Sequence, residues 1–183
     1  MTTGTTARTL ALLACATTTA LSLTACIPMP NSKKSCDVTF PVDSPERLGS
    51  GPAFVTAAAR RAADKSRLTS VDEIAADAHW RRDFDQMIVL AANTARRAQN
   101  IMEISYPEQN ICFTGTPSVG GPDGVAYLFL RDGQPIQYVG LTDKGPIEDL
   151  RNDQGFDGPI ARGQALIPLN GTLVALDKRP PPR

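Results

Sequence analysis

The sequence predicts an α+β fold, a small antiparallel sheet with helices packed on one face. Three observations predict it. Two tight-turn signals, Arg131-Asp132-Gly133-Gln134 and Asn170-Gly171, each stand between apolar runs of strand length. An earlier run, Met87-Ile88-Val89-Leu90, offers the sheet another strand. Ahead of these hairpins, alanine-rich and capped stretches favour helices that can lie close upon a sheet.

Taken in order, residues 38–42 predict a short strand, ended by Pro41 and Pro45. Ser50-Gly51-Pro52 precedes an alanine-rich stretch, and proline near the first turn suits a helix over 53–67. Ser70-Val71-Asp72-Glu73 is a capping-box pattern: the serine oxygen accepts from the third backbone amide and the glutamate reaches back. It starts a second helix over 71–79.

The next stretch is ambiguous by pattern. Trp80, Phe84, Ile88, Ala91 and Ala95 fall at three- or four-residue spacing and would suit one long helix, yet 87–90 has the length of a strand. The strand is preferred, because Asn93-Thr94 supplies a fresh helix start for 95–103, ending before Pro107. Residues 125–130 and 135–140 then flank the first hairpin turn, where Gly133 supplies the positive φ. Residues 164–169 and 172–176 flank the second.

The N-terminus carries a different signal. Arg8 precedes an apolar run from Leu10 to Ala25, broken by Thr17, Thr18 and Thr19, and no acid occurs before Asp37. The run falls short of the roughly 20 apolar residues of a spanning helix and fits a signal-peptide core. It closes on Leu23-Thr24-Ala25-Cys26, which resembles the lipobox of bacterial lipoproteins. That resemblance implies diacylglyceryl transfer to the Cys26 thiol and cleavage of the Ala25-Cys26 bond. It also implies a protein held at the extracytoplasmic face of the cell membrane by the lipid on Cys26. The competing reading is an ordinary secretory signal.

On this reading residues 1–25 are the signal peptide and 26–35 a tether, with Pro28 and Pro30 discouraging packed structure. Residues 36–177 form a single α+β domain. Residues 178–183, three prolines among three basic residues, form a disordered tail. Cys15 leaves with the signal and Cys26 takes the lipid, so Cys36 and Cys112 remain. They are read as a disulfide, since bridges persist outside the cytoplasm, or else as two separate thiols.

A second resemblance covers the middle of the chain. Phe84-Asp85-Gln86-Met87-Ile88-Val89-Leu90, a helix after Thr94, and Tyr127-Leu128-Phe129-Leu130-Arg131-Asp132-Gly133-Gln134-Pro135-Ile136 resemble small, largely uncharacterised bacterial lipoproteins. In those, an Asp-containing apolar strand and helix precede a hairpin on an Asp-Gly turn. This chain departs from the pattern at Ala91-Ala92-Asn93, and the resemblance implies no activity.

Charge and motif exclude several functions. The 19 basic and 19 acidic residues balance, and loss of Arg8 with the signal leaves 18 against 19, so no electrostatic case for nucleic acid exists. Neither Cys36 nor Cys112 has a partner at metal-ligand spacing, and no metal or other cofactor is expected. Ser118-Val119-Gly120-Gly121-Pro122-Asp123-Gly124 lacks the lysine of a phosphate loop and reads as a connection. The acids of 143–157 lack the order of a calcium loop.

Three basic pairs, Arg60-Arg61, Arg81-Arg82 and Arg96-Arg97, would make an anionic-ligand patch if they converged. Interleaved acids favour solvated faces instead. His79, the single histidine, with Asp83 and Asp85, is the only catalytic alternative, and no nucleophile elbow accompanies it. The expectation is therefore a non-catalytic, membrane-tethered protein that binds an envelope protein or polymer. An extracytoplasmic hydrolase acting on an envelope polymer is the runner-up. A small inhibitor that lends a sheet edge is the third reading.

Overall fold

Ten strands and three helices are built from residues 35–121, 124–142, 144–148 and 159–175, the part of the chain described in a computed structural model. The chain divides into Met1–Ser35 and Cys36–Arg183, and every element lies in the second unit. The signal segment, the lipobox with Ala25 and Cys26, the tether up to residue 34, and the 178–183 tail lie outside the described residues.

The elements run β1 Val38–Pro41, α1 Gly51–Ala63, β2 Thr69–Ser70, α2 Val71–Asp77, β3 Gln86–Leu90, α3 Ala95–Ser105 and β4 Ile111–Thr114. They continue with β5 Ala126–Arg131, β6 Gln134–Gly140, β7 Ile147–Glu148, β8 Ile160–Ala161, β9 Ala165–Leu169 and β10 Thr172–Ala175. The central sheet is antiparallel in the order β6-β5-β3-β8. A second has the order β2-β9-β10-β7, and β1 and β4 form a parallel pair.

The α+β class holds, but the single sheet with helices on one face does not. The two expected hairpins belong to different sheets, and both faces of the central sheet are covered. Tyr127 and Phe129 of β5, Met87 of β3 and Val139 of β6 turn to one side, against α1, α2 and the second sheet. Ala126, Leu128 and Leu130 of β5, Ile88 and Leu90 of β3 and Tyr138 turn to the other, against α3, Phe40 and Ile111. A strand covered on both faces reads as a continuous apolar run rather than an alternating one, which is why the first five residues of β5, Ala-Tyr-Leu-Phe-Leu, are all buried and only Arg131 at its end is exposed.

Local sequence explains most boundaries. Both hairpin turns put two residues at positive φ, Asp132 at 51° with Gly133 at 72°, and Asn170 at 49° with Gly171 at 86°. That is the type I′ geometry matching strand twist. Helix α1 buries Gly51, Phe54, Ala57, Ala58 and Ala62 on one stripe. Its first amide is capped by Glu46, whose Oε1 accepts from Gly51 N at 2.6 Å, while Ser50 makes no side-chain cap. It ends at Ala63 rather than 67.

Helix α2 opens as expected, with Ser70 Oγ accepting from Glu73 N at 3.2 Å. The Glu73 carboxylate goes instead to the Thr69 hydroxyl and to Arg67. The helix stops at Asp77, two residues before its expected end. His79 takes φ 56°, His79 N donates to Ala76 O and Trp80 N to Ala75 O, the paired bonds of a Schellman stop.

The strand preference at 87–90 is correct, with Thr94 Oγ1 accepting from Arg97 N to start α3. Asp83 and Asp85 precede β3 rather than lying within it. Cys36 and Cys112 stand paired as a disulfide with Cα atoms 5.7 Å apart, Cys112 lying on β4 beside Thr39.

The outer edge of β6 is occupied. Gln137, 1% exposed, accepts from Leu48 N at 2.6 Å and donates to Gly49 O at 2.8 Å, so its amide acts as one peptide unit of a further strand. Gly49 has φ 147°, and a Cβ there would meet Trp80 Cδ1 at 2.5 Å, so only glycine fits.

Candidate functional site

Four segments converge where β6 ends and α1 begins. β1 delivers Val42, tied by its amide to Thr114 O, and the chain turns through Asp43 and Ser44, whose amide donates to Pro41 O at 3.1 Å. Glu46 follows, fixed in place as the cap of α1. The first turns of α1 present Pro52, Val55 and Thr56, and β6 presents Tyr138, Val139 and Gly140. Pro117, Ser118 and Val119 close the far side.

Together they line a cleft of about 350 Å³, at the small end of the range for ligand pockets. Val42, Val55, Val119, Val139 and Leu141 supply its apolar surface, interleaved with the hydroxyl-bearing Ser44, Thr56, Ser118 and Thr142. Among the described residues its charged groups are the carboxylates of Asp43 and Glu46, and no arginine, lysine or histidine lines it.

Asn93 ties two lining residues of the cleft, Val119 and Tyr138, together. It is 2% exposed, donates from Nδ2 to Val119 O at 2.7 Å, and accepts on Oδ1 from the Tyr138 hydroxyl at 2.9 Å. One amide thus pins the glycine-rich loop to the sheet. The loop's role as a connection follows from that contact, and the acidic neighbours oppose any anion cradle.

Burial raises the Tyr138 phenol above its ordinary 10.0. Burial likewise raises Tyr127, whose hydroxyl donates to Ile147 O at 3.1 Å and accepts from Ile147 N at 2.9 Å. In the unfolded chain these phenols ionise near 10, while the folded state holds them neutral. The stability they contribute is complete below pH 10 and is lost as pH rises through the folded values. Denaturant midpoints at about pH 9 and about pH 11 should therefore differ, with a loss approaching about 1.4 kcal/mol per pH unit for each phenol. Equal midpoints would show that the phenols ionise alike in both states.

The sequence-derived alternative residues lie elsewhere. His79 is exposed at the Schellman turn. Asp83 is exposed and pairs with Arg131, and Asp85 accepts from Asp132 N at 2.9 Å. Both aspartates thereby clamp the β5–β6 turn. Of the basic pairs, Arg61 joins Asp77 across α1 and α2, and Arg82 joins Asp72. Among the described residues no group of three His, Cys, Asp or Glu side chains stands close enough to hold a metal ion.

Sequence reasoning singled out only the glycine-rich rim of the cleft. Asp43 and Glu46 belong to no local motif, Asn93 reads only as part of a helix start and Tyr138 only as part of a strand, and the tertiary fold alone gathers them. Comparison with protein-family models, with curated proteins and with solved structures finds no match to this chain.

Proposed function

We propose that this chain is a membrane-tethered extracytoplasmic lipoprotein that binds a ligand of the cell envelope and does not catalyse. The cleft between α1 and β6 carries the reading. Apolar side chains beside two carboxylates, with no nucleophile set against a base among the described lining residues, are suited to holding a ligand rather than transforming it. Its chemistry selects an apolar group that ends in a cation or hydrogen-bond donor. The Leu23-Thr24-Ala25-Cys26 motif, the proline-containing 26–35 tether and a disulfide that persists outside the cytoplasm support the location.

Two experiments test the two halves. Replacing Cys26 by Ser should move the protein from the membrane to the soluble fraction, and unchanged membrane retention would refute the anchor. A photoreactive residue at Thr56, inside the cleft, should crosslink an envelope component that the same residue at Arg60 does not. Identical products from both positions would refute the binding site.

A further inference from the structure

We propose that Arg47, Arg81 and Arg131 form a second site, for the phosphate group of an anionic ligand. Drawn from three separated stretches of chain, they line one cavity of about 260 Å³ with Leu48, Asp83 and Ile136. Three cations face one carboxylate there, in a chain whose 19 basic and 19 acidic residues balance. The excess is therefore local.

The backbone holds the three arginines in place. Arg81 N donates to Leu48 O at 2.8 Å, which fixes the segment of Arg47 beside that of Arg81. Leu48 and Gly49 are bound in turn to Gln137 on β6. Asp85 N donates to Leu130 O at 2.9 Å and Asp132 N to Asp85 Oδ2 at 2.9 Å, which attaches the segment of Asp83 to the turn carrying Arg131. Binding an anion would then order side chains only.

Charge pairing separates Arg47 and Arg81 from four other arginines of the domain. Arg61, Arg67, Arg82 and Arg162 each join a carboxylate of the domain. Among the described residues no carboxylate pairs with Arg47 or Arg81, and Arg131 shares Asp83. Guanidinium forks match phosphate oxygens two at a time, and a phosphate near two negative charges balances the local excess of two positive ones. Leu48 and Ile136 complete the lining. The site is independent of the acidic cleft, which would repel the same ligand.

The test uses the full-length chain carrying Cys26→Ser, so that no acyl chain contributes. Its probes are pyrophosphate, followed by calorimetry, and vesicles of phosphatidylglycerol in phosphatidylcholine, followed by co-sedimentation. Arg47→Ala and Arg81→Ala should each weaken binding about tenfold, the equivalent of one charge-assisted contact. Asp83→Asn should tighten it about threefold by releasing Arg131, a gain that misfolding cannot imitate.

Arg60→Ala, which removes an exposed charge of α1, should change nothing. These effects on pyrophosphate assign the site to soluble phosphates, and on vesicles alone to a lipid headgroup; either supports the proposal. Binding of neither probe, or equal losses in Arg60→Ala and Arg81→Ala, overturns it.

Discussion

Replacing Phe129 with alanine is expected to remove about 3–5 kcal/mol of folding stability, the range for truncating a core aromatic. Phe129 is fully buried, with ring centroids of Trp80 at 4.9 Å, Phe54 at 5.1 Å and Phe84 at 5.3 Å. The contacts with Phe54 and Phe84 are edge-on at 83° and 84°, a geometry that adds about 0.5–1.5 kcal/mol per pair beyond buried area. The void would not close, because its walls are anchored separately. Trp80 Nε1 donates to Ser50 O at 2.8 Å, and Phe54 belongs to a helix whose first amide Glu46 caps.

Transition midpoints of Phe129→Ala and wild type, by circular dichroism in denaturant, measure the loss. Phe113, half-buried beside Phe40, provides the comparison and should cost well under half as much when truncated. A loss below about 1.5 kcal/mol for Phe129→Ala would mean that the cluster repacks and is not the centre of the core.

The elements that could be read from sequence are those whose determinants are local. Asp132-Gly133 and Asn170-Gly171 specify their turns with two residues each, and Ser70 and Thr94 specify helix starts with one hydroxyl each. The assembly of sheets could not be read this way. β2, β7 and β8 have two residues each, too few to show a period, and exist only because a partner strand is alongside. β4 is four residues long and pairs in parallel with β1, more than 70 positions away in sequence. The burial of both faces of β5 is written in its unbroken apolar run, Ala126 to Leu130.

The candidate sites differ in the same respect. His79 and its neighbouring aspartates drew notice because they are chemically conspicuous and close in sequence. Their geometry is explained by backbone needs, a helix stop at His79 and a turn clamp at Asp83 and Asp85. The cleft residues Asp43 and Glu46 resemble any surface acids until the Asn93 side chain draws the 117–119 loop over the end of β6. The arginine cavity was half legible: Arg81 was noted within a pair, but its companions are Arg47 and Arg131, not Arg82.

Replacing Cys36 and Cys112 together with serine is expected to cost about 4 kcal/mol, which chain entropy assigns to a bridge spanning 76 positions. The site of the bridge argues for a loss near that figure. Cys112 lies on β4, whose only strand partner among the described residues is β1, four residues long and entered directly from Cys36. A two-stranded pair is marginal by itself, so the bridge and the packing of Phe40 and Ile111 under α3 carry it.

Because Val42 and Asp43 continue from β1 into the cleft, the loss should not be uniform. Amide exchange at residues 38–42 and 111–114 should accelerate more than at β5 and β3, and the overall melting temperature should fall by about 10–15 °C. Dithiothreitol acting on the wild type should reproduce both effects without any substitution. If the double variant melts with the oxidised protein, or if exchange rises equally in β5, then β1 and β4 are held by packing alone and the bridge does not set the position of the cleft.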